Sequence, residues 1–113
     1  MGNAMSILCA HRGASGNFPE NTMSAFDAAR KLGVEWLEVD LGITVDDRLI
    51  IFHDSKLGRT IAGEGEISEL KFDQIKNLDT GIWKGSEFKQ QTVVTLRQLL
   101  TWQKKYKMNI NYE

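Results

Sequence analysis

The sequence predicts an α/β protein built on parallel strands, and three observations carry that prediction. The apolar run Ile7-Leu8-Cys9-Ala10 is followed by a polar loop and then by a helical pattern from Ser24 to Leu32. An alternating strand follows from Val34 or Trp36 to about Val45. Near the end, a helix opening at Thr95 leads into a strand at Met108–Tyr112. Strand, helix, strand in succession is the pattern of parallel α/β units, which place their chemistry beyond the carboxyl ends of strands.

The first strand is expected over Ser6 to Ala10. The loop behind it, His11 to Thr22, opens with one of two histidines and holds the only proline, Pro19. Asn21 or Thr22 supplies a short side-chain oxygen able to cap the next helix. Ala25, Phe26, Ala29 and Leu32 recur at helical spacing, and Gly33 supplies a stop. In the second strand, Leu37, Val39, Leu41, Ile43 and Val45 share one face, expected against helices. Glu38, Asp40, Gly42 and Thr44 share the other, which turns both carboxylates inward. Asp46-Asp47 reads as a two-residue hairpin turn before Arg48–Phe52, a register that sets Asp40 opposite His53.

Residues 55–92 read as an insertion or lid. Leu70, Ile75 and Leu78 mark a short helix, and Trp83 and Phe88 act as packing aromatics. Thr95 is placed to cap a helix with Leu96, Leu99, Leu100, Gln103 and Tyr106 on one side. In the last strand Met108, Ile110 and Tyr112 alternate with Asn109, Asn111 and Glu113, so Glu113 falls on the polar, inward face.

Composition narrows the function. Hydrophobic content of 42%, charged content of 26% and a net charge of −1 describe an ordinary globular chain. With no basic block, nucleic acid is not the expected partner. No apolar run reaches the ~20 residues of a membrane helix. The start lacks a charged leader with a long apolar stretch, so the expected location is cytoplasmic. Residues 1–5 are expected to be an expression remnant or a disordered start. Cys9 has no partner for a disulfide, since the chain has one cysteine, and buried packing is its expected role.

The candidate chemistry lies in three places. His11 and Arg12 set a proton-transfer group beside a planar fork suited to phosphate. Glu38 and Asp40 repel each other on one buried face unless a cation joins them, and all-oxygen ligation favours Mg²⁺, Ca²⁺ or Mn²⁺. His53-Asp54 ends the run Leu49–Phe52; Asp54 either orients His53 or caps a turn. The alternative for Arg12 is an ordinary ion pair with Glu20; Glu20 and Asn21 are read as structural, fixing the loop and the helix start.

The series His-Arg-Gly…Pro-Glu-Asn-Thr, Glu-x-Asp and His-Asp resembles the glycerophosphodiester phosphodiesterase family, from about Ile7 to Glu113. The resemblance implies a TIM-type (β/α)₈ barrel, one divalent metal ion, and His11 and His53 as paired acid and base. It implies Arg12 as the phosphate holder and Glu38, Asp40 and Glu113 as metal ligands for Mg²⁺ or Ca²⁺. The expected substrate is a small-molecule glycerophosphodiester, cleaved to glycerol 3-phosphate and an alcohol. Arg59-Thr60 also matches, and is read as structural. The departures touch the scaffold: Asp47 replaces a glycine, Val93-Val94 an Ile-Pro pair, and Arg97-Gln98 an acidic pair.

A complete barrel takes about 250 residues, so 113 correspond to roughly its first half. The expectation is therefore a fragment, or a subunit completed by another chain. Two alternatives follow: an inactive binding or assembly subunit of the same fold, or a phosphodiesterase acting on lysophospholipids or sphingolipids.

Overall fold

A computed structural model describes residues 9–113. The expected remnant at 1–5 and most of the expected first strand lie outside the described residues. The elements in order are β1 (Cys9–His11), α1 (Met23–Lys31), β2 (Trp36–Val39), β3 (Leu41–Ile43), β4 (Leu49–Ile51), α2 (Phe72–Ile75), β5 (Val94–Thr95), α3 (Leu96–Tyr106) and β6 (Asn109–Tyr112). They form two three-stranded sheets, a parallel one ordered β1-β2-β6 and an antiparallel one ordered β3-β4-β5.

Local chemistry fixes the two long helices. Thr22 Oγ1 accepts from the Ala25 N–H and donates to the Pro19 carbonyl, which closes the entry to α1. At its exit, Gly33 takes φ +83° and donates to Arg30, while Val34 donates to Ala29. Those two bonds make a Schellman motif and satisfy carbonyls that the helix leaves free. Thr95 and Gln98 cap α3 reciprocally, side chain to backbone in both directions.

One core lies between the parallel sheet and the helices. Phe26 and Ala29 of α1, Leu37 and Val39 of β2, and Leu99 and Trp102 of α3 meet there. Trp102 Nε1 donates to Asp27 at 2.8 Å, which locks α3 onto α1. That bond corrects the expected face of α3: Trp102 is buried and Leu100 is exposed, because α1 approaches from the Trp102 side.

The expected continuous second strand divides at Asp40. Beyond it the chain leaves the parallel sheet as a hairpin, and the apolar side of Leu41, Ile43 and Val45 passes out of reach of α1 and α3. These residues are 38%, 46% and 52% exposed, where burial was expected. The opposite side, with Gly42, Thr44, Ile50 and Phe52, is the covered one. Ile50 and Phe52 pack there with Ile61, Ile67, Ile75 and Val93 in a second core under residues 55–92.

The hairpin register also differs from expectation. Leu41 pairs with Ile51, Gly42 with Ile50 and Ile43 with Leu49, so the loop has three residues, Val45-Asp46-Asp47. Asp47 closes it in the left-handed conformation at φ +62°, the geometry of a three-residue hairpin loop. Phe52, not His53, therefore stands opposite Asp40, and its N–H donates to the Asp40 carbonyl at 2.9 Å.

Two predictions follow from these local geometries. Thr95→Ala removes one half of the reciprocal cap and should lower stability by ~1 kcal/mol in denaturant unfolding. Asp47→Gly relieves a left-handed L-residue and should raise stability by ~0.5–1 kcal/mol in the same measurement.

Candidate active site

The parallel register builds the site. His11 of β1 pairs with Glu38 of β2, and Glu38 pairs with Asn111 of β6. Because side chains alternate along a strand, Glu113 lies on the same face as Asn111, one step nearer the carboxyl end. The Glu113 N–H donates to the Val39 carbonyl at 2.8 Å, and Leu41 donates back to the Glu113 carbonyl at 3.0 Å, so pairing extends through Glu113. Ligand atoms of His11, Glu38 and Glu113 all lie within 4.8 Å of one another. His11 Nε2 stands 3.9 Å from Glu113 Oε2.

Cys9 lies one layer below on the same face. Its Sγ is 3.5 Å from Glu38 Oε1, and the residue is exposed rather than buried in a core as expected. Desolvation and the Glu38 carboxylate raise its pKa, so the thiol stays protonated at neutral pH.

The loop after β1 turns sharply. Arg12 and Gly13 adopt φ +60° and +82°, and a Cβ on Gly13 would lie 2.8 Å from the Ala25 backbone. Only glycine permits so close an approach of loop to helix. The turn swings the Arg12 side chain away from the strand face. Its Nε lies 3.1 Å from Asp40 Oδ2 and its NH1 lies 3.4 Å from Glu20 Oε1. Asp40 also accepts from Asn21 Nδ2 at 3.0 Å. Glu38 and Asp40 thus share a strand side in sequence but separate in space. Glu38 faces His11 and Glu113, whereas Asp40 is occupied by Arg12 and Asn21.

His53 stands two residues beyond β4. Its Nδ1 is 2.7 Å from Asp54 Oδ1, so of the two roles considered for Asp54, contact with His53 is the one observed. Arg59 grips Asp54 through Nε at 2.9 Å and NH2 at 3.0 Å. The same guanidinium grips Glu20 through NH1 at 3.0 Å and NH2 at 2.6 Å. Hydrogen bonds from Arg59, opposed by desolvation and aided by His53, bring the Asp54 pKa down to about 2. Bonds to Glu20 and then Asp54 push the Arg59 pKa up. A chain of charged contacts therefore runs Asp40–Arg12–Glu20–Arg59–Asp54–His53. Sequence reasoning assigned Arg59 a structural part only. Its partner Glu20 is 39 residues away, and no local pattern signals such a pair.

The donor set fits a hard divalent cation. Glu38 and Glu113 converge from neighbouring strands without a lysine or arginine between them among the described residues, and two carboxylates so placed repel unless a cation joins them.

Comparison with known proteins gives a consistent answer. A model of the Glycerophosphoryl diester phosphodiesterase family matches residues 11–113. The glycerophosphodiester phosphodiesterase of Caldanaerobacter subterraneus subsp. tengcongensis is 39% identical over 94 residues, which cover 83% of this chain and 39% of that protein. The Bacillus subtilis enzyme of the same name is 42% identical over 86 residues, covering 73% and 29%. Among solved structures, an Oleispira antarctica phosphodiesterase in complex with the product sn-glycerol-3-phosphate superposes with a TM-score of 0.90 at 37% identity, covering 97% of this chain and 44% of that one. The Agrobacterium tumefaciens glycerophosphodiester phosphodiesterase gives 0.91 at 31% identity, covering 96% and 46%. The chain thus spans less than half the length of the relatives it matches. Among the described residues no helix is long and apolar enough to cross a membrane. From residue 11 to its last, the chain belongs to the glycerophosphoryl diester phosphodiesterase family.

Proposed function

We propose that this chain is the first half of a TIM-type barrel that hydrolyses glycerophosphodiesters to glycerol 3-phosphate and an alcohol. The observation that carries this reading is the convergence of His11, Glu38 and Glu113 at the carboxyl ends of three parallel strands. Barrel enzymes build their sites at that face. The likeness to a structure holding sn-glycerol-3-phosphate supports the substrate class. The outer edges of β1 and β6 carry no partner strand among the described residues, which supports completion by further barrel strands.

The division of labour follows from residue chemistry. Glu38 and Glu113 would hold one Mg²⁺ or Ca²⁺ beside His11, and Asp40 would join them on release from Arg12. The ion supplies Lewis-acid polarisation of a phosphoryl oxygen when bound. Arg12 offers its fork to the phosphate oxygens and balances the charge that grows on them. His11 and His53 divide proton transfer, one accepting from the attacking group and the other donating to the leaving alcohol. Asp54, ionised down to about pH 2, holds the His53 Nδ1 side and leaves Nε2 for the reaction.

Three measurements test this. In the protein carrying the whole family domain, His11→Ala or Glu38→Ala should lower turnover of glycerophosphocholine by at least ~10²-fold, as general acid–base catalysis alone contributes that much. Near-normal turnover in both variants would sink the assignment. Chelation should abolish release of glycerol 3-phosphate, and Mg²⁺ or Ca²⁺ should restore it. Glu38→Gln should weaken the binding of those ions by titration calorimetry, and unchanged affinity would remove Glu38 from the ligand set.

A further inference from the structure

We propose that Arg59 is a positioning residue for the reaction: it fixes His53 through Asp54 and fastens the His53 loop to the loop behind Arg12 through Glu20. The proposal rests on the reading of His53 as acid or base.

The two histidines belong to separate sheets. His11 ends β1 of the parallel sheet, whereas His53 follows β4 of the antiparallel one, on the segment that enters the second core. A pair of proton-transfer groups must hold a fixed separation across the phosphate, and misplacement by about 1 Å can cost ~10²-fold in rate. Some contact has to set that separation. The charged side chains linking the two loops meet at Arg59. It makes two hydrogen bonds to Asp54 and two to Glu20, using Nε, NH1 and NH2. Such a planar fork spends all its faces at once, which a lysine cannot reproduce. Trp83 lies against the guanidinium, with its ring centre 5.9 Å from the Arg59 Cζ, so the insertion supports the residue from a third direction.

The same arrangement acts on Arg12. Glu20 Oε1 accepts from Arg59 NH1 at 3.0 Å and from Arg12 NH1 at 3.4 Å. The shorter bonds belong to Arg59, so most of the Glu20 charge is spent there. Arg12 keeps only a long contact with Glu20, and its closer contact is the one from Nε to Asp40 at 3.1 Å. With Arg59 removed, Glu20 would become a full competitor for Arg12, and Asp54 would be free to rotate away from His53.

The test compares Arg59→Gln and Arg59→Lys in the protein carrying the whole family domain. Steady-state kinetics on glycerophosphocholine are paired with ¹⁵N NMR of the His53 ring, assigned by comparison with His53→Ala. The expected result for Arg59→Gln is a fall in kcat of ~10–10²-fold, the usual scale for groups that orient a functional side chain from behind. The fraction of His53 protonated at Nδ1 should fall with it. Arg59→Lys should recover part of the loss in kcat, since it restores one charge but not the fork. Unchanged kcat in both variants, or an Nδ1 population equal to that of the parent, would overturn the proposal. If Arg59→Gln fails to fold, Arg59→Lys decides alone by the same two readouts. Normal turnover in His53→Ala would defeat the acid–base reading instead, and the NMR result would still decide whether Arg59 fixes the ring.

Discussion

The arrangement depends first on the register of three short parallel strands. His11, Glu38 and Asn111 stand side by side, and two-residue periodicity carries Glu113 onto their face. A slip of one residue in either pairing would send a carboxylate to the helix side, among Phe26, Leu99 and Trp102. The apolar core therefore does more than stabilise the sheet. By holding Leu37 and Val39 on one side, it keeps Glu38 on the other.

The second constraint is the shared carboxylate of Glu20. It lies between two arginines and connects the loop behind β1 to the loop behind β4. Both guanidiniums need buried or half-buried anions nearby, because isolated charges there would be costly. Charge balance and positioning are thus performed by the same groups. A merely apolar contact between the loops would supply cohesion without fixing the ring of His53.

The legible part of the fold was the part set by neighbours in sequence. Thr22 and Thr95 mark helix starts through side chains acting within a turn of themselves, Gly33 marks a helix end through its left-handed backbone, and each is found at its expected end. The alternation from Met108 to Glu113 placed Glu113 on the polar side for the same reason. The hairpin register was misread because Asp47 occupies a left-handed position that glycine usually marks, and a three-residue loop replaces the two-residue one. On α3 the expected side is right at Leu96, Leu99 and Tyr106 and wrong only in taking Leu100 over Trp102, which Asp27 on another helix draws inward. Cys9 was placed in a core because its strand is apolar in sequence, yet its own parity puts it beneath Glu38. The clasp at Arg59 joins positions 39 apart, which only the closed structure brings together.

The adjacent residues Ile50 and Ile51 face different cores. Ile50 packs with Ile61, Ile67 and Ile75, and Ile51 with the helices and the parallel sheet. A single strand is therefore the partition between two apolar cores. The apolar residues packed on Ile50 can be exchanged within their own core while the strands carrying Glu38 and Glu113 keep their register, because the ties from residues 55–92 to the site run through the polar clasp of Arg59 instead. A volume change in one core is thus not passed directly to the other.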